Sequence, residues 1–182
     1  MTKDVWLNAN KDDAGDLILT GYEGEFKDMP VYQEIINLVG SCDKVLDFGC
    51  GVGRNTIALS NMANLVYGFD LPSMISLVPE ENKSENIVYA TDWDSVRELN
   101  FDCVLASLVF QHIDDEELKN YLYDLSKMTS KLVLHSRTWV DHTETKVLDI
   151  VEKYFIAEYI EYTRDPNNPI DDHFIATLAP RR

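Results

Sequence analysis

KVLDFGCGVGRNTIALS, residues 44–60, begins as a short apolar run and closes on Asp47-Phe48. Glycines then stand at 49, 51 and 53, and a helix-spaced pattern follows. An apolar run cut off by turn residues reads as a buried strand. Glycine after it admits positive φ, and its missing Cβ lets a ligand lie against the main chain. Spacing separates the candidate turns. A dinucleotide-binding GxGxxG counted from Gly49 meets Arg54, and counted from Gly51 meets Thr56. The phosphate-binding GxxxxGK[ST] fails as well, because Arg54 occupies its second glycine position. DxGxGxG fits at every fixed position.

Outward from this turn the chain alternates strand and helix. "NLVYGFD" is a second strand, "NIVYA" a third, "FDCVLAS" a fourth and "KLVLHS" a fifth. Helices are expected over "GRNTIALSNMA", "PSMISLV", "DDEELKNYLYDLSKM" and Thr143 to Tyr154. Upstream, Val31, Ile35, Ile36 and Val39 line one face of a further helix. Asp114, three residues before Glu117, gives the third of these helices a start signal. At the end, "FIAEYIEYT" and "HFIATLA" are two strands joined by "RDPNNPIDD", which has hairpin chemistry. The expected fold is α/β: a Rossmann-like doubly wound sheet, mostly parallel, with one antiparallel strand from the C-terminal hairpin. Residues 1–40 read as an N-terminal cap segment and helix, and 41–182 as one domain.

Composition narrows the function. Sixteen Lys and Arg against 32 Asp and Glu leave a formal charge of −16. Such a surface repels phosphate backbones, so nucleic acid is a poor partner. No apolar run approaches the roughly 18 to 20 residues that cross a bilayer. The first residues, "MTKDVWLNANKDD", lack a signal-peptide core, so a cytoplasmic protein is expected. Three cysteines without a CxxC pair do not make a disulfide framework. Four histidines without HExxH spacing give no support for a metal.

The DxGxGxG turn resembles motif I of the class I S-adenosylmethionine-dependent methyltransferases. In that family an acidic residue at the end of the second strand holds the ribose hydroxyls, and Asp70 stands there. A polar residue with an apolar neighbour after strand three meets the adenine. "ATDWD" supplies Asp92 and Trp93, with Asp94 a register alternative to Asp92. "FDCVLASLVFQHIDDEEL" is similar to the motif IV segment, including its "QHI". The resemblance spans about residues 40 to 135. It implies S-adenosylmethionine as cofactor, held by Asp47, Gly49, Cys50, Gly51, Gly53, Asp70, Leu71, Asp92, Trp93, Ser107 and Leu108.

The resemblance also implies a methyl acceptor near the exits of strands four and five. His112 is the candidate general base or acceptor-orienting group, useful where an amine or hydroxyl must lose a proton. Packing over the cofactor is its competing role. Arg137 offers bidentate recognition of a substrate carboxylate, with Trp139 beside it on the same rim. Tyr22, between two glycines in "GYEGEF", belongs to a possible substrate lid. The chain is thus expected to methylate oxygen or nitrogen of a small molecule, as a monomer or homodimer. The alternatives are a non-catalytic cofactor-binding regulator of a partner, and a protein methyltransferase drawn to basic targets.

Overall fold

The computed structural model describes residues 6–9, 33–140, 145–163 and 173–182. A single sheet of seven strands organises them: β1 (Cys42–Phe48), β2 (Ala63–Phe69), β3 (Ile87–Ala90), β4 (Cys103–Ser107), β5 (Leu132–Arg137), β6 (Phe155–Thr163) and β7 (His173–Pro180). Their spatial order is β3-β2-β1-β4-β5-β7-β6. β1 through β5 pair in parallel, whereas β7 runs antiparallel to both β5 and β6. The expected hairpin therefore contributes the one reversed strand. The order reverses between β1 and β4, and open α/β sheets bind ligands at such a crevice beyond the strand ends.

Parallel strands are covered on both faces, so alternate residues of one strand feed two cores. On β1, Leu46 and Phe48 join the larger cluster with Val104, Ala106, Leu132 and Leu134. Val45 points the other way, to Cys103, Leu105 and Val133. The first face is covered by α5 (Asp115–Met128) and α6 (Val147–Val151), the second by α1 (Gln33–Val39) and α2 (Arg54–Leu59). α5 buries Leu118, Leu122, Leu125 and Met128, one stripe at helical spacing. Its start is as expected: Asp114 accepts hydrogen bonds from the Glu116 and Glu117 N–H groups at 3.1 and 3.0 Å. Asp115, Glu116 and Glu117 add negative charge where the helix dipole is positive. No helix among the described residues is long and apolar enough to cross a membrane.

Three of the other helices are shorter than their sequence pattern. α2 stops at Leu59 because Ser60 Oγ turns back to the Ile57 carbonyl at 2.8 Å and Met62 N–H bonds the Leu59 carbonyl. α3 (Pro72–Ile75) and α4 (Trp93–Val96) are single turns. The expected helix from Thr143 begins only at Val147, after a bridge between Trp139 and Lys146 has fixed the chain as extended. Residues 143 and 144 lie outside the described residues, as do residues 30–32 of the first helix.

Candidate functional site

The glycine turn is fastened to the end of β2. Gly49 and Cys50 N–H both donate to the Phe69 carbonyl, at 2.8 and 3.1 Å. One residue on, the Asp70 carboxylate accepts from Gly51 N–H through Oδ2 and from Leu71 N–H through Oδ1, each at 2.7 Å. Asp70 thus bridges the turns that follow β1 and β2. Burial raises its pKa, against the pull of those two N–H donors.

The three glycines have different reasons to be glycine. All have positive φ, at 72°, 58° and 86°. A Cβ on Gly49 would stand 2.3 Å from Val109 Cγ2, and one on Gly53 would stand 2.1 Å from the Tyr89 hydroxyl. Both positions make room for the protein's own side chains. Only at Gly51 is the space open, the nearest atom being Met74 Cε at 3.9 Å. Backbone approach to a ligand, expected of all three from the sequence, is offered by Gly51.

Behind the turn lies Asp47, 1 % exposed. Thr56 Oγ1, on the first turn of α2, donates to its Oδ2 at 2.6 Å. Burial pushes the Asp47 pKa up to about 7, and the nearby Asp70 carboxylate pushes the same way. Cys50 packs within the turn, and burial raises its thiol pKa well above the usual value.

After β3 the candidate adenine contacts have other duties. Asp92 caps α4, accepting from Asp94 N–H at 3.3 Å and from the Ser95 hydroxyl. The Trp93 indole N–H donates to Asp124 on α5 at 2.9 Å. Its ring packs against Phe48, Phe69 and Tyr121, with centroids 5.0 to 5.4 Å away. Trp93 therefore forms part of an aromatic cluster under the strand ends. Tyr89 was not among the sequence candidates, yet its ring fills the space left by both Gly53 and Gly68. The signal was Gly68, a glycine inside a strand, which marks close approach of another group.

At the exit of β4, Ser107 Oγ lies 3.2 Å from His135 Nδ1. Leu108 has φ 56°, the one positive φ among the described non-glycine residues. Its N–H donates to the His135 carbonyl at 2.7 Å, which holds the strained bend. A 3-10 turn, Phe110–His112, follows. Gln111 within it is buried and joins the rim: its Oε1 accepts from Arg137 N–H at 2.7 Å and Ser136 Oγ at 3.3 Å, while Nε2 lies 3.2 Å from His112 Nε2. No expectation was attached to Gln111; a polar residue closing the apolar run "VLASLVF" was its sequence signal. Burial drives the His135 pKa down to about 4, helped by His173, whose ring centroid is 5.6 Å away. Trp139 is 42 % exposed, with the Lys146 ammonium 5.4 Å from its ring centroid.

The N-terminal residues 6–9 complete the arrangement. Trp6 packs against the cluster of Ala9, Val52 and Met74, and its carbonyl accepts from Ser73 Oγ at 2.7 Å. Its ring centroid lies 5.8 Å from that of His112. Tyr22 and His142 fall outside the described residues.

Comparison with known proteins gives this geometry a family. A family model described as a methyltransferase domain matches residues 45–131, from β1 to the start of β5. An uncharacterized methyltransferase of Staphylococcus carnosus is 24 % identical over 157 residues, covering 82 % of this chain and 74 % of its own length. This is an S-adenosylmethionine-dependent methyltransferase, similar over residues 45–131 to the methyltransferase-domain family. Solved structures show the same fold. The N-methyltransferase NodS of Bradyrhizobium japonicum, bound to S-adenosylhomocysteine, superposes with TM-score 0.68 at 19 % identity, over 82 % of this chain and 85 % of that one. The 1,6-didemethyltoxoflavin N1-methyltransferase of Burkholderia thailandensis gives TM-score 0.61 at 16 % identity, over 82 % and 78 %. Within this methyltransferase, Asp47, Gly51 and Asp70 gather at the ends of β1 and β2. Leu108 and His112 stand at the end of β4, and Trp6 reaches from the first group to the second.

Proposed function

We propose that this methyltransferase moves a methyl group from S-adenosylmethionine to an oxygen or nitrogen of a small-molecule acceptor. One observation carries the cofactor half: Asp70 grips the Gly51 N–H beside open space, so a carboxylate and a bare backbone face the same point. The residues suit the cofactor's parts. Asp70 has oxygen lone pairs left for a ribose diol. Asp47 is an acceptor for the amino group. Leu71, Asp92 and Trp93 border the adenine side, and the bend at Ser107 and Leu108 borders the methionine side. The bound cofactor supplies an activated methyl on a sulfonium, so the protein's task is chiefly alignment of the acceptor.

For the acceptor half, His112 stands at the exit of β4 next to Gln111, which fixes the β5 rim through Arg137 N–H. We assign His112 the removal or orientation of an acceptor proton, and Arg137 and Trp139 the acceptor's outer contacts. The segment ahead of α1 is assigned the cover over the acceptor. Support for a small acceptor comes from the fold neighbours, which include enzymes named for 1,6-didemethyltoxoflavin and for magnesium protoporphyrin IX.

Calorimetry with S-adenosylhomocysteine tests the cofactor site. Asp70→Asn keeps the shape but exchanges one acceptor for a donor, and affinity is expected to fall about thirtyfold. Wild-type affinity in that variant removes Asp70 from the ribose. His112→Ala, assayed with labelled methyl donor against a metabolite panel, is expected to lose about a hundredfold in turnover. Affinity for S-adenosylhomocysteine should change less than threefold in the same variant, or the proton-transfer role is dropped.

A further inference from the structure

Among the described residues, the Trp6 indole Nε1 is a buried donor with no acceptor. Buried polar groups in folded proteins are nearly always paired, so each orphan calls for an explanation. Trp6 is not loosely placed. Ser73 Oγ and Ala9 N–H both bond its carbonyl, at 2.7 and 3.2 Å, and it packs against the cluster that holds Val52 of the glycine turn and Met74. On the opposite side its ring meets His112, tilted by 53°. The residue therefore spans from the β2 exit, over the glycine turn, to the β4 exit.

Chemistry selects what such a donor meets. An indole N–H donates and cannot accept, so it offers nothing to an ammonium or a sulfonium. The ribose diol is matched to the acceptor Asp70. Among the acceptors that remain, which include the adenine ring nitrogens, the carboxylate of the amino-acid end is the one anionic group and makes the strongest bond to an N–H donor. The site is otherwise hostile to an anion, because Asp47 and Asp70 are both buried there in a chain of net charge −16.

We infer that Trp6 selects the amino-acid end of the cofactor, its indole N–H donating to the carboxylate as the residue straps the glycine turn to His112. This rests on the cofactor assignment made above. It adds a residue from a segment that lies outside every sequence motif of the site.

Two ligands differing only in that carboxylate decide the matter: S-adenosylhomocysteine and its decarboxylated analogue, 5′-(3-aminopropylthio)-5′-deoxyadenosine. Calorimetry on the wild-type chain should find S-adenosylhomocysteine the tighter, and Trp6→Phe should narrow that gap by about tenfold, as befits a lost hydrogen bond to a charged group. A Phe variant that weakens both ligands by the same factor, or neither, overturns the inference. Wild-type protein gives an independent arm that does not depend on the variant's folding. In ¹⁵N-labelled chain the Trp6 indole N–H resonance, assigned by through-bond correlation, should move downfield with S-adenosylhomocysteine and stay with the analogue. Equal movement with both ligands overturns the assignment of the carboxylate. Failure of the wild type to bind either ligand refutes the cofactor site itself, and Trp6 with it.

Discussion

Gly49→Ala should unfold or severely destabilise this methyltransferase, whereas Gly51→Ala should leave it folded and unable to hold its cofactor. The two residues are two positions apart and share a left-handed backbone, at φ 72° and 58°. That conformation costs an alanine about 1–2 kcal/mol in either place. The difference is what the new methyl meets. At Gly49 it would lie 2.3 Å from Cγ2 and 2.6 Å from Cβ of Val109, a branched side chain with no flexible end to swing away. Overpacking adds to the backbone strain, for a total of about 3–5 kcal/mol, a large share of a typical domain's stability. At Gly51 the methyl has only Met74 Cε within 4 Å, at 3.9 Å, so stability should fall by about 1–2 kcal/mol alone. That open space is where the cofactor's backbone contact is proposed, and affinity for S-adenosylhomocysteine should drop at least a hundredfold, about 2.7 kcal/mol. Urea unfolding and calorimetry on the two variants read the two effects separately. A Gly51→Ala chain that binds normally would move the ligand away from this turn.

This pair also shows where sequence reasoning stops. DxGxGxG announced a turn that needs positive φ, and the mostly parallel sheet followed from the alternation of short apolar runs with amphipathic helices. Those are local properties. The partners that forbid a Cβ at Gly49 and Gly53 are Val109 and Tyr89, brought in by β4 and β3, and spacing along the chain does not announce them. The same holds after β3. The pair Asp92-Trp93 has the right chemistry for adenine, and packing gives each a second duty that spacing does not announce: Asp92 caps its own helix and the Trp93 N–H donates to Asp124 on the packed helix α5. Side-chain direction is decided by competing partners, and those come from tertiary packing. Gln111 and Trp6 drew no site assignment for a related reason: the partners of the Gln111 amide come from the β5 rim, and Trp6 arrives from a segment with no periodicity. Helix lengths fail more simply, since apolar spacing marks a face while Ser60, Asn61 and the Trp139–Lys146 bridge set the ends.

Asp47 yields the other large effect, and it is one of pH. Its carboxyl is buried and keeps its proton up to about pH 7, against an ordinary value of 3.8. The folded chain thus binds more protons than the unfolded one between those limits, and stability falls as pH rises through that window. Three units correspond to about 4 kcal/mol withheld from the folded state at pH 8. Asp47→Asn cannot ionise and still offers Thr56 an acceptor oxygen. In urea unfolding the variant should exceed wild type by about 2–3 kcal/mol at pH 8, after the cost of one unpaired amide, and hold no such advantage at pH 5. An aspartate that destabilises its own fold at neutral pH invites a functional reason, and a cationic partner supplies one. An ammonium beside Asp47 favours the ionised form, so binding of S-adenosylhomocysteine should release this proton. Affinity should then be about tenfold weaker at pH 6 than at pH 8 in wild type, and nearly flat across that range in Asp47→Asn. Equal pH dependence in the two chains would place the ammonium elsewhere, and leave Thr56 as the reason the buried aspartate is kept.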